Sequence, residues 1–357
     1  MAKISKILIV FIFFSSCSLD TKSGIWTKKT KILSEKSKIK VLFKKEKALK
    51  KEFNSKLEIN MSSKLTNNSF VNNFNNNNGR INYNGDLKSI SKFKFKKIKN
   101  FYKFEPEIIF DKRNIIFFDN KGSILKFDNS SKLIWKKNFY SKSEKKQNPI
   151  LLLTNNKKIL IAADNLSKYF AVNIDTGELL WSKSSSMPFN SQIKIYKDKF
   201  FAIDFENTLI CYSIVTGNEL WKIRTDKSFI NSQQKLSLIV ANDMVVFNNS
   251  IGDITAVEID NGNLIWQTPT QSSAIYENSF FLKTSEIIEY KKSILFSNNS
   301  NEFFSINIQN GTINWKQKIN SNLKPTATDK FIFTVTLEGF LVVLNFKSGK
   351  IIRINDV

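Results

Sequence analysis

An all-β fold, a β-propeller of four-stranded blades, is predicted by three observations on this sequence. The stretch Phe170 to Trp181 reads as strand, tight turn and strand, and Gly177 supplies the positive φ such a turn needs without steric cost. The same pattern returns at Ile210–Trp221, Thr255–Trp266 and Phe304–Trp315, each with Trp four residues after Gly. Successive hairpins are spaced by 46, 40, 45, 49 and 38 residues, the period of a propeller blade rather than of a helical or leucine-rich repeat.

Taken in order, the first hairpin is Leu125 to Trp135, with Ser131 where the others have Gly. Gly177 and Trp181, Gly217 and Trp221, Gly262 and Trp266, and Gly311 and Trp315 follow. The sixth keeps Gly349 but carries Arg353 in the Trp place. Two short apolar runs precede each hairpin: Pro106–Phe110 and Asn114–Asp119 in the first repeat, Gln192–Ile195 and Phe200–Ile203 in the third, Thr326–Ala327 and Phe331–Val335 in the last. A second turn joins the middle strands, as at Asp119–Gly122, Asn248–Gly252 and Leu337–Gly339. Four strands per repeat, with turns every 8 to 12 residues, give six complete repeats. A single such sheet cannot bury both of its faces; stacking sheets radially buries them and leaves only short edges.

Each Trp has two readings. An indole can be a stacking platform for a flat cofactor or a base. At one position in every outer strand it is also what fills the wedge between blades, and periodicity favours packing for every Trp except Trp26. The polar residue before each turn (Asp128, Asn173, Glu258, Asn307, Asn345) is expected to accept hydrogen bonds from turn amides. Recurrence once per blade argues against reading these residues as a general acid and base.

The chain of 357 residues is 41% hydrophobic, ample for a core. It has 55 Lys+Arg against 31 Asp+Glu, a net charge of +24. Such a balance fits a nucleic-acid or anionic-membrane partner. Clustered Arg is missing, so Lys spread over solvated faces is the simpler account. The absence of His removes Ser-His and Cys-His nucleophile pairs and imidazole metal sites. Cys17 and Cys211 stand in unlike contexts and do not form a disulfide framework.

Residues 1–16 read as a signal peptide: Lys3 and Lys6, the apolar run Ile7–Phe14, then Ser15 and Ser16 before Cys17. Eight apolar residues are too few to span a bilayer as a helix. Residues 17–91 read as a tether and loop, with a Lys-rich run from Lys28 to Lys56 and an Asn-rich stretch from Asn67 to Asn78. Residues 92–357 carry the propeller.

Phe14-Ser15-Ser16-Cys17 resembles a bacterial lipobox, with Phe14 in place of the usual Leu. That resemblance implies lipidation at Cys17, and Ser18 after it implies outer-membrane sorting. The hairpins resemble the pyrroloquinoline-quinone-type propeller repeat, best matched by Phe170-Ala171-Val172-Asn173-Ile174-Asp175-Thr176-Gly177-Glu178-Leu179-Leu180-Trp181, over Lys92–Val357. Lipobox, tether and propeller together resemble the BamB family, lipoproteins of the outer-membrane β-barrel assembly machinery. What this implies is a non-catalytic, lipid-anchored scaffold on the periplasmic side of the outer membrane. Its partners would be a BamA-like barrel-insertion protein and client outer-membrane proteins, with no cofactor, no metal and no nucleic acid.

In that family eight blades form the ring and an N-terminal strand completes the last one; Phe93–Ile98 sits where that strand belongs. Eight blades would need roughly 75 more residues at this period. The expectation is therefore a truncated or short chain, open or with six to seven blades. Two alternatives remain. Quinoprotein dehydrogenases share the repeat, but they resemble one another in holding the quinone between a Trp and a disulfide of adjacent Cys, beside a calcium-type ion. This chain has no adjacent Cys pair, and Cys211 is expected to be buried and inert. The third reading is a propeller lipoprotein associating with an anionic membrane surface through Lys28–Lys56.

Overall fold

A computed structural model describes residues 49–60, 108–112, 114–227, 234–270, 282–328 and 330–357. The signal segment, Cys17, Phe93–Ile98 and most of the tether lie outside the described residues.

Among the described residues, six four-stranded antiparallel sheets follow one another, each a meander of consecutive strands. The first comprises β1 (Ile109–Asp111), β2 (Asn114–Phe118), β3 (Ile124–Phe127) and β4 (Leu133–Lys137). The second comprises β5 (Leu151–Asn155), β6 (Ile159–Asp164), β7 (Lys168–Asn173) and β8 (Leu179–Ser184). The third comprises β9 (Lys194–Tyr196), β10 (Lys199–Ile203), β11 (Thr208–Ser213) and β12 (Glu219–Arg224). The fourth comprises β13 (Leu238–Ala241), β14 (Met244–Asn248), β15 (Ile254–Glu258) and β16 (Leu264–Thr268). The fifth comprises β17 (Ile288–Tyr290), β18 (Ser293–Asn298), β19 (Glu302–Asn307) and β20 (Ile313–Gln317). The sixth comprises β21 (Thr326–Ala327), β22 (Phe331–Val335), β23 (Phe340–Asn345) and β24 (Ile351–Asp356). One short helix, α1 (Lys142–Lys146), links the first two sheets and is closed by a capping box between Ser141 and Glu144.

Strand alternation explains how the sheets stack. In β6, Leu160 and Ala162 enter the core shared with the first sheet, while Ile161 and Ala163 enter the core shared with the third. Further cores join the third sheet to the fourth, the fourth to the fifth and the fifth to the sixth. Middle strands of the second to fifth sheets are therefore buried on both faces, and each fully buried Phe, Ile or Leu contributes about 1.5–3 kcal/mol. The first strands of neighbouring sheets lie beside one another, from β1 and β5 through to β13 and β17. Fourth strands face outward, as the exposed residues of β8 and β12 show.

The last sheet departs from the family arrangement used as an expectation. Its four strands all come from residues 326–356, so no N-terminal strand is needed to complete it. An N-terminal segment does reach it, but as an addition to the outer edge. Phe53 bridges Ile354 in antiparallel fashion, with hydrogen bonds of 3.1 and 2.8 Å in the two directions. Asn355 Nδ2 donates to Ser55 O at 3.2 Å and Arg353 Nη1 to Leu57 O at 2.8 Å. Leu49 is buried in the core of the fifth and sixth sheets. Residues 49–57, read from sequence as tether, thus form a strap along β24, because an outer strand leaves its outward backbone groups unpaired.

Candidate partner-binding surface

The hairpins between third and fourth strands are built by local hydrogen bonds. Asn173 Oδ1 accepts from the amides of Asp175 and Thr176 at 2.9 and 3.1 Å, while Gly177 N donates to Asn173 O. Asp128, Asn307 and Asn345 use the same side-chain oxygen in the same way. Glu258 differs: its longer side chain meets only Asn263 Nδ2, and Asn261 takes over the turn amide. Ser131, the one non-glycine in the series, adopts φ +67°.

Each Trp works between sheets, not within its own. Trp135 Nε1 donates to Ile174 O in the next sheet at 3.2 Å. Trp181 donates to Ile214 O at 3.0 Å, Trp221 to Ile259 O at 3.0 Å, Trp266 to Ile308 O at 2.8 Å and Trp315 to Phe346 O at 3.2 Å. The acceptor stands three residues before the turn glycine of that next sheet, and the indole lies over this glycine. A Cβ placed on Gly177, Gly217, Gly262, Gly311 or Gly349 would collide with Trp135, Trp181, Trp221, Trp266 or Trp315 respectively. Five latches therefore join six sheets. The sixth sheet presents Arg353 instead, and its guanidinium holds the strap at Leu57.

A β-bulge recurs at one place in all six sheets, in register with the Trp or Arg position. In the second sheet Ala171 pairs with Trp181 and Val172 with Leu179, which leaves Leu180 unpaired. The bulge turns the indole inward and both preceding residues outward. Leu133 and Ile134, Leu179 and Leu180, and Leu264 and Ile265 are consequently exposed, Leu264 by 55%. Leu220 and Ile313 occupy the same rim in the third and fifth sheets. Half of the exposed large apolar side chains among the described residues stand on this rim, beside the hairpin turns. A repeated apolar stripe of this kind marks an interaction surface better than scattered single residues do. Sequence reading missed it, although two apolar residues before Trp recur in three hairpins.

The opposite end of the sheets is organised by buried carboxylates. Asp164 and Asp204 each accept two amides of the turn that follows, and Tyr140 OH donates to Asp164 at 2.5 Å. Burial pushes the carboxyls of Asp164, Asp204 and Asp253 up. Asp119 goes the other way: burial is outweighed by hydrogen bonds from Ser123, Lys136 and Lys121, which hold it below the usual range. Between the first two sheets Lys126, 2% exposed, pairs with Asp111 at 2.7 Å and donates to Ile174 O at 2.9 Å, the carbonyl also used by Trp135. No sequence signal pointed to this lysine. Cys211 is buried in β11 opposite Trp221, and burial pushes its thiol up to about 12, away from reactivity. Among the described residues no three His, Cys, Asp or Glu side chains gather as a metal site.

No curated protein matches the sequence. Among solved structures, BamB from Moraxella catarrhalis superposes with a TM-score of 0.59 at 14% identity, over 70% of this chain and 75% of that one. Quinohemoprotein alcohol dehydrogenase from Comamonas testosteroni gives a TM-score of 0.45 at 14% identity, over 57% of this chain and 42% of that one. At these identities the likeness concerns fold. The family model described as outer membrane protein assembly factor BamB matches residues 120–355, most of the chain and all but the first two strands, and the chain belongs to that family.

Proposed function

We propose that this chain is a non-catalytic scaffold of the machinery that assembles β-barrel proteins in the outer membrane. It is held there by lipid on Cys17, on the periplasmic side, and binds a BamA-like barrel-insertion protein and its clients. The observation that carries the reading is the rim of exposed apolar pairs beside the hairpin turns, set on rigid stacked sheets. Family membership supports the same reading. The indoles support a role without cofactor: Trp181 packs against Gly217 and Phe200, with its N–H already used.

Pull-down from detergent-solubilised envelopes tests the proposal. The full chain should recover the barrel-insertion protein. Leu179→Lys with Leu180→Lys, and Leu264→Lys with Ile265→Lys, should weaken recovery while leaving the unfolding midpoint unchanged. Full recovery by both variants would move the interface away from the rim, and failure of the unmodified chain would remove the assembly role. Cys17→Ser should shift the protein from the membrane pellet to the soluble fraction.

A further inference from the structure

The strap meets the outer edge of β24 as a poorly fitting strand. The backbone groups that β24 turns toward it are the amide and carbonyl of Ile354, the carbonyl of Ile352 and the amide of Asp356. Phe53 answers the two of Ile354 with its own backbone, at 2.8 and 3.1 Å. The others receive side chains instead: Asn54 Nδ2 donates to Ile352 O at 3.4 Å, and the amide of Asp356 donates to Glu52 Oε1 at 3.1 Å. Asn54 has φ +46° and its carbonyl accepts from Leu57 N at 2.9 Å, so the strap leaves the extended conformation directly after Phe53. Phe53 and Leu57 are 48% and 42% exposed, which leaves Leu49 as the buried apolar anchor. A regular antiparallel strand in the same register would meet all of these groups with backbone.

The edge itself is unlike most of its counterparts. Four of the other five outer strands carry a lysine within two residues after their Trp: Lys136, Lys183, Lys222 and Lys316. Lysine on an outer edge discourages the addition of a further strand. β24 has Ile354 and Asn355 at those places, and it is this edge that the chain covers with a segment of its own. Side chains of any added strand would alternate between two surroundings. On one side lies Ile354, part of the core of the fifth and sixth sheets; on the other lie Arg353 and Asn355, which hold the carbonyls of Leu57 and Ser55. A segment of alternating apolar and polar residues matches both.

We infer that the outer edge of β24 is a binding site for an extended strand of another protein, with alternating apolar and polar side chains, and that the strap is its displaceable cover. That the guest is a barrel strand before insertion rests on the proposed function; the edge and its cover do not. A fluorescent eight-residue peptide of alternating Val and Thr, with a copy N-methylated at every amide, tests the site on the full chain. The peptide should bind by anisotropy, and the N-methylated copy should not. Phe53→Pro, which loosens the cover, should tighten binding by about tenfold, since less of the chain is then closed. Bound peptide should speed hydrogen exchange in residues 50–57 and keep the amide of Ile354 protected. Equal binding of the N-methylated copy would overturn the inference, as would equal affinity of the unmodified and Phe53→Pro chains, or a strap whose exchange the peptide leaves unchanged. A dimer of the Phe53→Pro chain without peptide, seen by light scattering, would assign the edge to a second copy and also overturn it. Loss of peptide binding with intact pull-down of the barrel-insertion protein would sink the strand site alone, and the reverse result would sink only the assembly role.

Discussion

The indole of Trp181 occupies the space that a side chain on Gly217 would need: a Cβ there would lie 2.7 Å from Cε3 and Cζ3 of the ring. Gly217 is thus required twice, for its φ of +68° and for the room it leaves. Gly217→Ala should destabilise the protein by about 2–4 kcal/mol, combining backbone strain with overpacking. Trp181→Ala should cost about 3–5 kcal/mol. Because the two share one contact, the double variant should cost less than the sum of the singles in urea unfolding. Strict additivity would mean that indole and glycine do not meet.

The pair of Lys126 and Asp111 gives a sharper asymmetry. Both side chains are buried, 2.7 Å apart. Asp111→Ala leaves the buried ammonium with the Ile174 carbonyl and, at 3.7 Å, the exposed carboxylate of Asp175, and should cost about 3 kcal/mol. Lys126→Met paired with Asp111→Leu removes both charges and should recover most of that loss. Comparing urea midpoints of the single and double variants decides it; a double variant as unstable as Asp111→Ala would show that the ion pair is worth more than its packing volume.

Asp204 and Asp119 should respond to pH with opposite signs. Asp204, raised by burial, binds its proton more tightly in the folded chain than in the unfolded one. Its charge therefore destabilises the fold at neutral pH, and that penalty disappears as pH falls through its raised value. Asp119, lowered by its hydrogen bonds, stabilises the fold above the ordinary carboxylate value of 3.8, and that contribution is lost as pH falls through its depressed value. Asp204→Asn, which keeps an oxygen for the amides of Glu206 and Thr208, should raise stability at pH 7 and lose the advantage in acid. Asp119→Asn should lower stability at pH 7. Equal signs at pH 7 would contradict the assignment.

Much of this arrangement was legible because one residue type per sheet does one job between sheets. The period of Gly177, Gly217, Gly262, Gly311 and Gly349 marks turns of positive φ, and the matching Trp residues mark the latches, so the number of sheets could be counted. That each latch reaches into the next sheet was hidden, since spacing alone does not say which neighbour an indole meets. Lys126 was hidden because a lysine among alternating apolar residues reads as solvent-facing until its buried partners are seen. The strap was illegible for a different reason: Leu49 and Phe53 stand among Lys50, Lys51 and Lys56 without strand alternation, and what holds them is the unpaired edge of β24.

That edge makes a final prediction. Phe53 contributes through its backbone, since its side chain is 48% exposed while its amide donates to Ile354 O at 3.1 Å. Phe53→Ala keeps both backbone hydrogen bonds and should change stability by less than about 0.5 kcal/mol. Phe53→Pro removes the donor and should release the strap, with faster hydrogen exchange at Ile354, whose own amide donates to Phe53 O at 2.8 Å. Leu49→Ala should cost more than Phe53→Ala, about 2 kcal/mol, because Leu49 is buried against the core of the fifth and sixth sheets. If Phe53→Ala exposed the amide of Ile354 as fully as Phe53→Pro does, side-chain packing rather than the antiparallel bridge would be holding the strap in place.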